Sequence, residues 1–89
     1  MPKIVYLGTT YQCSACKCQK VLLKSALALR DDIKLVVCNY TELPEWIKIN
    51  VKLTDFPVTI FVDEDVVKYH FVGTKTIKKI QELIKSINF

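Results

Sequence analysis

The chain has 89 residues, of which 51% are hydrophobic and 25% charged, a balance that excludes a disordered segment and suits one compact domain over residues 1–89. The net charge of +4 comes from scattered lysines without a basic stripe of base-reading groups, which argues against a nucleic-acid binder. No stretch approaches the ~20 apolar residues that cross a bilayer, and the N-terminus enters strand-like sequence at once, so no secretory leader and no membrane partner are expected. The expected compartment is the cytoplasm, where four cysteines point to redox chemistry or metal binding rather than a structural disulfide framework.

In chain order, Lys3-Ile4-Val5-Tyr6-Leu7-Gly8 is nearly continuous in apolar character and predicts a central strand covered on both faces. Gly8 to Gln12 is a loop. A helix is expected over 14–30, with Cys18, Leu22, Ser25, Ala26 and Leu29 as its buried stripe and Lys17, Lys20 and Lys24 projecting elsewhere. Asp31-Asp32 ends it. Ile33 to Cys38 is a second strand, and the strand–helix–strand order implies a parallel pair with a right-handed crossover.

Thr41 is expected to cap a short helix over 42–50, with Pro44 in its first turn and Trp46, Ile47 and Ile49 on its apolar side. Trp46 reads as a core or half-buried anchor. Leu53 to Phe56 is a loop leading to Pro57. Val58–Val62 and Val66–Val72 predict an antiparallel hairpin joined by Asp63-Glu64-Asp65. Gly73 ends the hairpin. Thr74 or Thr76 caps a last helix running to about Asn88, with Ile77, Ile80, Ile84 and Ile87 on one face.

Chemistry concentrates at Tyr11-Gln12-Cys13-Ser14-Ala15-Cys16-Lys17-Cys18, where a loop becomes a helix. The first turn of a helix carries unpaired N–H groups and the positive end of the dipole, and both stabilise an anion. A thiolate at Cys13 is such an anion, and a thiol activated this way is the better nucleophile at neutral pH. Cys16 lies one turn on, within reach to close a disulfide with Cys13.

The order β-α-β-α-β-β-α, with a C-x-x-C opening the first helix, Phe56-Pro57-Val58-Thr59 before the hairpin and Val72-Gly73 after it, resembles the thioredoxin superfamily over essentially the whole chain. The resemblance is to its small, glutaredoxin-sized members, because the chain starts at the strand before the motif. It implies an α/β thioredoxin fold whose four-stranded mixed sheet is flanked by helices, with the first strand central and the last strand of the hairpin antiparallel at the edge. It also implies a cis Phe56–Pro57 bond beside the cysteine pair, where the other reading of Pro57 is a proline that begins a strand.

The departures from the family favour a thioredoxin-like dithiol donor. Ser14-Ala15 matches neither the Gly-Pro of thioredoxins nor the Pro-Tyr of glutaredoxins, whereas Lys17 resembles thioredoxin. Leu7 stands where thioredoxins place a buried acid, and Tyr11-Gln12 replaces their tryptophan. Gly73-Thr74-Lys75-Thr76 offers one glycine and a lysine where glutaredoxins carry a Gly-Gly pair and an acid. The resemblance therefore implies a thiol–disulfide oxidoreductase with Cys13 as nucleophile and Cys16 as resolving thiol. Tyr11, Ser14, Ala15, Phe56, Pro57 and Gly73 would contact substrate, and Lys17 would favour the thiolate. The Cys13–Cys16 disulfide is then the redox centre, with no further cofactor. The expected partners are a disulfide-containing protein and a thioredoxin-type reductase, and the protein is expected to work as a monomer. The alternatives are a glutathione-dependent glutaredoxin, or a metal-binding or redox-silent interaction module on the same scaffold. Cys18 and Cys38 are expected to pack as small buried groups. A four-thiol zinc site with Cys13 and Cys16 is the sharper reading, opposed by the ~200° that separates Cys18 from Cys16 around a helix, and a regulatory thiol is a third. His70 is expected on the surface or a sheet face.

Overall fold

The computed structural model describes residues 3–89; Met1 and Pro2, which the single-domain reading includes, lie outside the described residues. Four strands, β1 (Lys3–Thr9), β2 (Ile33–Asn39), β3 (Val58–Asp63) and β4 (Val66–Val72), form one sheet in the order β2-β1-β3-β4. Three helices, α1 (Ser14–Ala26), α2 (Glu45–Asn50) and α3 (Ile77–Ser86), flank it. β1 pairs parallel with β2 and antiparallel with β3, and β3 pairs antiparallel with β4. β1 and β3 are thus the inner strands, which is why both read as nearly unbroken apolar runs.

The sheet separates two cores. On one face Val5, Leu7 and Phe61 meet Leu23, Ala26 and Leu27 from α1 and its end, and Ile80 and Ile84 from α3. Phe61 is fully buried and packs edge-on against Phe89, ring centroids 5.3 Å apart. On the opposite face Val58, Ile60 and Val62 meet Leu43, Ile47 and Val51. Those last three recur every fourth residue, so α2 and its flanks present one stripe to the sheet. Each large apolar side chain buried this way contributes roughly 1.5–3 kcal/mol.

Several sequence expectations shift. The first helix ends at Ala26, not near residue 30: Leu27, Ala28 and Arg30 donate to Leu23, Ser25 and Leu27 through tightening turns that bring the chain round into β2. Its buried stripe is Cys16, Gln19, Leu23 and Ala26, whereas Cys18, Ser25 and Leu29 are exposed, Leu29 to 93%. The helix is phased by Cys16, which is drawn inward beneath Cys13, and this turns Cys18 outward. Cys18 is therefore not the packing group expected of it, and Cys38 is only half-buried. In the second crossover, Asn39 rather than Thr41 is the cap: its Oδ1 accepts from Thr41 N–H at 3.0 Å and opens a 3₁₀ turn over Tyr40–Glu42. α2 starts only after Pro44, which sits at the N-cap position. In so short a helix Ile47 alone is buried; Ile49 lies on the outer side, 78% exposed, and Trp46 is half-buried.

The β3–β4 hairpin closes through Glu64-Asp65, both at positive φ (52° and 61°), the sign a two-residue turn needs to match strand twist. Thr76 caps α3 by accepting from Lys79 N–H, and α3 ends at Ser86, two residues earlier than expected. His70 is exposed on β4.

Candidate active site

The sheet register gathers three connections at one end. Gly8 near the end of β1 pairs with both Cys38 of β2 and Val58 of β3, and Val58 pairs with Val72. The loop into α1, the loop into β3 and the segment after β4 therefore all emerge together. They carry Tyr11 to Cys16, Phe56-Pro57 and Gly73 respectively, so nearly all the site residues expected from the sequence share this end.

Gly8 permits the convergence. A Cβ at this position would lie 2.8 Å from Val58 Cγ1 and 3.2 Å from Leu43 Cδ1, so the strand can approach its neighbours this closely only without a side chain. Gln12, at φ 53°, then turns the chain into the helix. Cys13 is the N-cap of α1, and its Sγ accepts the Cys16 N–H at 3.0 Å. A sulfur that caps a helix faces unpaired backbone donors at the positive end of the dipole, the environment that favours a thiolate. Cys13 and Cys16 form a disulfide, with Cα atoms 5.2 Å apart. The two differ in access: Cys13 is half-buried, whereas Cys16 is 3% exposed.

The surroundings of Cys13 are open on one side. Tyr11 is 83% exposed, Ser14 and Ala15 are exposed, and Lys17 is exposed in the first turn, its N–H donating to the Cys13 carbonyl. Pro57 is buried, and the Phe56–Pro57 bond is cis. Gly73, at φ +91°, donates its N–H to the Pro57 carbonyl at 2.8 Å. Phe56 packs against Tyr40, ring centroids 4.8 Å apart. Tyr40 was not singled out from the sequence, although its position just after β2 places it at the same sheet end.

Two buried polar residues also escaped the sequence reading. Gln19, one turn after Cys16, and Thr59, two residues after Pro57, are both fully buried. Gln19 Oε1 accepts the Lys75 N–H at 3.0 Å and so ties α1 to the segment after Gly73. The spacing 16, 19, 23, 26 was the signal that marked Gln19 as inward-facing.

The remaining thiols lie apart. Burial raises the pKa of Cys38, with a smaller push from the Glu42 carboxylate. Among the described residues no group of three or more His, Cys, Asp or Glu is placed to hold a metal ion, so the structure assembles no four-thiol site. No described helix is long and apolar enough to cross a membrane.

No family model matches the sequence, and no curated protein matches it. Solved structures do. Desulfothioredoxin from Desulfovibrio vulgaris Hildenborough superposes with a TM-score of 0.80 at 18% identity, over 97% of this chain and 82% of that one. Thioredoxin-2 of the malaria parasite gives 0.77 at 15% identity, over 96% and 82%. Mitochondrial thioredoxin 3 from Saccharomyces cerevisiae gives 0.74 at 20% identity, over 94% and 77%. The chain has the thioredoxin fold. It carries at the start of α1 a cysteine pair at disulfide distance.

Proposed function

We propose that this protein is a thiol–disulfide oxidoreductase that reduces protein disulfides through the Cys13–Cys16 dithiol. The observation that carries the reading is the asymmetry of the pair: Cys13 caps α1 and reaches solvent, while Cys16 is buried behind it. In the reduced protein the Cys13 thiolate attacks one sulfur of the substrate disulfide. A mixed disulfide forms, and the other substrate sulfur leaves as a thiolate that takes up a proton. Cys16 then loses its proton and attacks Cys13 Sγ, which expels the second substrate thiol and forms Cys13–Cys16. Two electrons pass to the substrate, and the protein must be reduced again before the next cycle.

The substrate is an extended segment of a disulfide-containing protein, held over Tyr11, Ser14, Ala15, Phe56, Pro57 and Gly73. The exposure of Tyr11 and the Tyr40–Phe56 pair offer aromatic surface beside the sulfur. A thioredoxin-type reductase is the proposed electron source, and the proposed state is a monomer in the cytoplasm, a reducing compartment that suits the two unpaired cysteines.

The test is trapping. Cys16→Ser is expected to hold a substrate protein in a mixed disulfide at Cys13, while Cys13→Ser neither reduces disulfides nor traps. Trapping by Cys13→Ser instead would reverse the roles, and trapping by neither variant would remove the redox reading.

A further inference from the structure

A buried thiol cannot become a nucleophile in an apolar core without help, because desolvation disfavours its charged form. Cys16 is 3% exposed, so the resolving step of the cycle above meets this difficulty directly. The groups around it are mostly unable to assist. On α1 the neighbouring charges Lys17 and Lys20 are exposed. The core on the α1 side of the sheet is built of apolar residues such as Leu7 of β1, Phe71 of β4 and Ile80 of α3. Lys75, after β4, lays its ammonium over the Phe71 ring, 5.0 Å from the centroid. Among the described residues the buried polar side chains are Gln19 and Thr59 alone.

Both face this layer. Gln19 follows Cys16 by three residues on the buried side of α1, and helical side chains lean back toward the N-terminus, here toward Cys16. Thr59 pairs with Leu7 on one side and Phe71 on the other, and alternates with Phe61, so it stands on the sheet face that α1 covers. Each retains one polar atom without a partner: Gln19 Nε2 and Thr59 Oγ1. The orientation of the amide is fixed by chemistry, since the Lys75 N–H is a donor and must meet the oxygen, which leaves the NH₂ unengaged. An unsatisfied buried donor costs about 1–3 kcal/mol, so two of them in one layer need a reason.

We propose that Gln19 and Thr59 are positioning residues for the resolving step: their free N–H and O–H groups, buried on the sheet face that α1 covers, turn to the Cys16 thiolate and stabilise it as it forms. The proposal rests on the oxidoreductase reading above. The proton leaves Cys16 for solvent, the sulfur keeps the electron pair, and that pair forms the bond to Cys13 Sγ as the substrate thiolate departs. Gln19 acts a second way by holding the Lys75 N–H, which keeps the segment after Gly73 against the site.

The experiment separates the two chemical steps. In a Cys18→Ala/Cys38→Ala background, the reduced protein is mixed with excess dithionitrobenzoate, an aromatic disulfide that releases a coloured thiolate. The first release reports attack by Cys13 and the second reports attack by Cys16. Thr59→Val, which keeps shape but lacks the hydroxyl, and Gln19→Glu, which keeps the acceptor for Lys75 but lacks the NH₂, are each compared with the parent across pH. Both are expected to slow the second release about tenfold at neutral pH and to move its pH midpoint up by about one unit. Thr59→Ser restores the hydroxyl and is expected to restore the rate. Thr59→Val should also leave the fold as stable or more so, because it removes a buried unsatisfied group, and a merely structural role would not couple that gain to a slower second step. An unchanged second release in both variants, or a slow release that Thr59→Ser does not rescue, overturns the proposal. If the parent itself gives no second release, the redox reading beneath it fails, and this inference fails with it.

Discussion

Gly73 donates its N–H to the carbonyl of Pro57 at 2.8 Å, so the residue that ends the hairpin is pinned to the residue that begins it. The bond requires Gly73 to sit at φ +91°, where a Cβ meets no neighbouring atom but the backbone itself is unfavourable for an L side chain. Gly73→Ala is therefore expected to fold and to lose about 1–2 kcal/mol, all from the backbone. Denaturant unfolding measures it. Gly73→Asn should lose less, because asparagine tolerates positive φ better; equal losses would point to a steric cause that the open surroundings do not provide.

Gly8 fails for a different reason. An added methyl would push directly on Val58 Cγ1 beside Pro57. Gly8→Ala should cost about 1–3 kcal/mol through overpacking and should also slow disulfide reduction, because Val58 carries the proline loop. Paired with Val58→Ala it should lose less than the two single changes added together. Strict additivity in a double-mutant cycle would argue against the contact.

The two unpaired thiols are expected to behave unlike each other. In the oxidised protein, one equivalent of alkylating reagent should be taken up readily at exposed Cys18. Cys38 should react slowly at neutral pH and gain speed only in alkaline solution, since burial raises its pKa. Mass mapping of the modified peptides decides this. Alanine at either position should leave reduction of a protein disulfide largely intact.

Helix capping by Cys13 should show in the reduced protein as a nucleophile active below the pH at which free cysteine becomes so. The rate of iodoacetamide alkylation against pH, followed at Cys13, gives the midpoint. A profile superimposable on free cysteine would mean that the start of α1 does not activate the sulfur.

At the opposite end of the sheet, Arg30 forks onto Asp32 with bonds of 2.8 and 2.7 Å and lowers its pKa to about 2. A carboxyl depressed on folding adds stability above its unfolded pKa and loses it as pH falls through the folded one. Stability should thus fall between about pH 4 and about pH 2, and Asp32→Asn should flatten that part of the curve. The pair is exposed, so added salt should shrink the effect.

Much of the architecture was legible because its signals are local. Short runs of apolar and β-branched residues marked the four strands, and a C-x-x-C at a strand-to-helix junction, with Phe56-Pro57 and Gly73 at their distances from it, marked the candidate site. What misled was phase. Hydropathy rejects glutamine from a core, so the stripe of α1 was drawn through Cys18 and Leu29, when the Cys13–Cys16 link had already turned Gln19 inward. The same blindness hid Thr59, whose hydroxyl is buried by the sheet and not by its own character. Ile49 reads as part of the apolar side of the short helix by residue type alone, whereas the spacing of Leu43, Ile47 and Val51 marks the face that packs on the sheet. Tyr40 owes its place beside Phe56 to the pairing of β2 with β1, a relation between distant segments that composition does not carry.

The antiparallel pairing of β1 with β3 sets Leu7 opposite Thr59 and Gly8 opposite Val58, joining the opening of the chain to its final third. During synthesis, then, the reactive sulfurs leave the ribosome well before the proline loop that will stand beside them. A nascent chain bears its cysteines unshielded until β3 has emerged and closed the middle of the sheet, an ordering slow to achieve because its contacts span so much sequence. The selectivity proposed for Cys13 would then arise only once β3 is in place, so a ribosome stalled short of Val58 would display both thiols without the proline loop beside them.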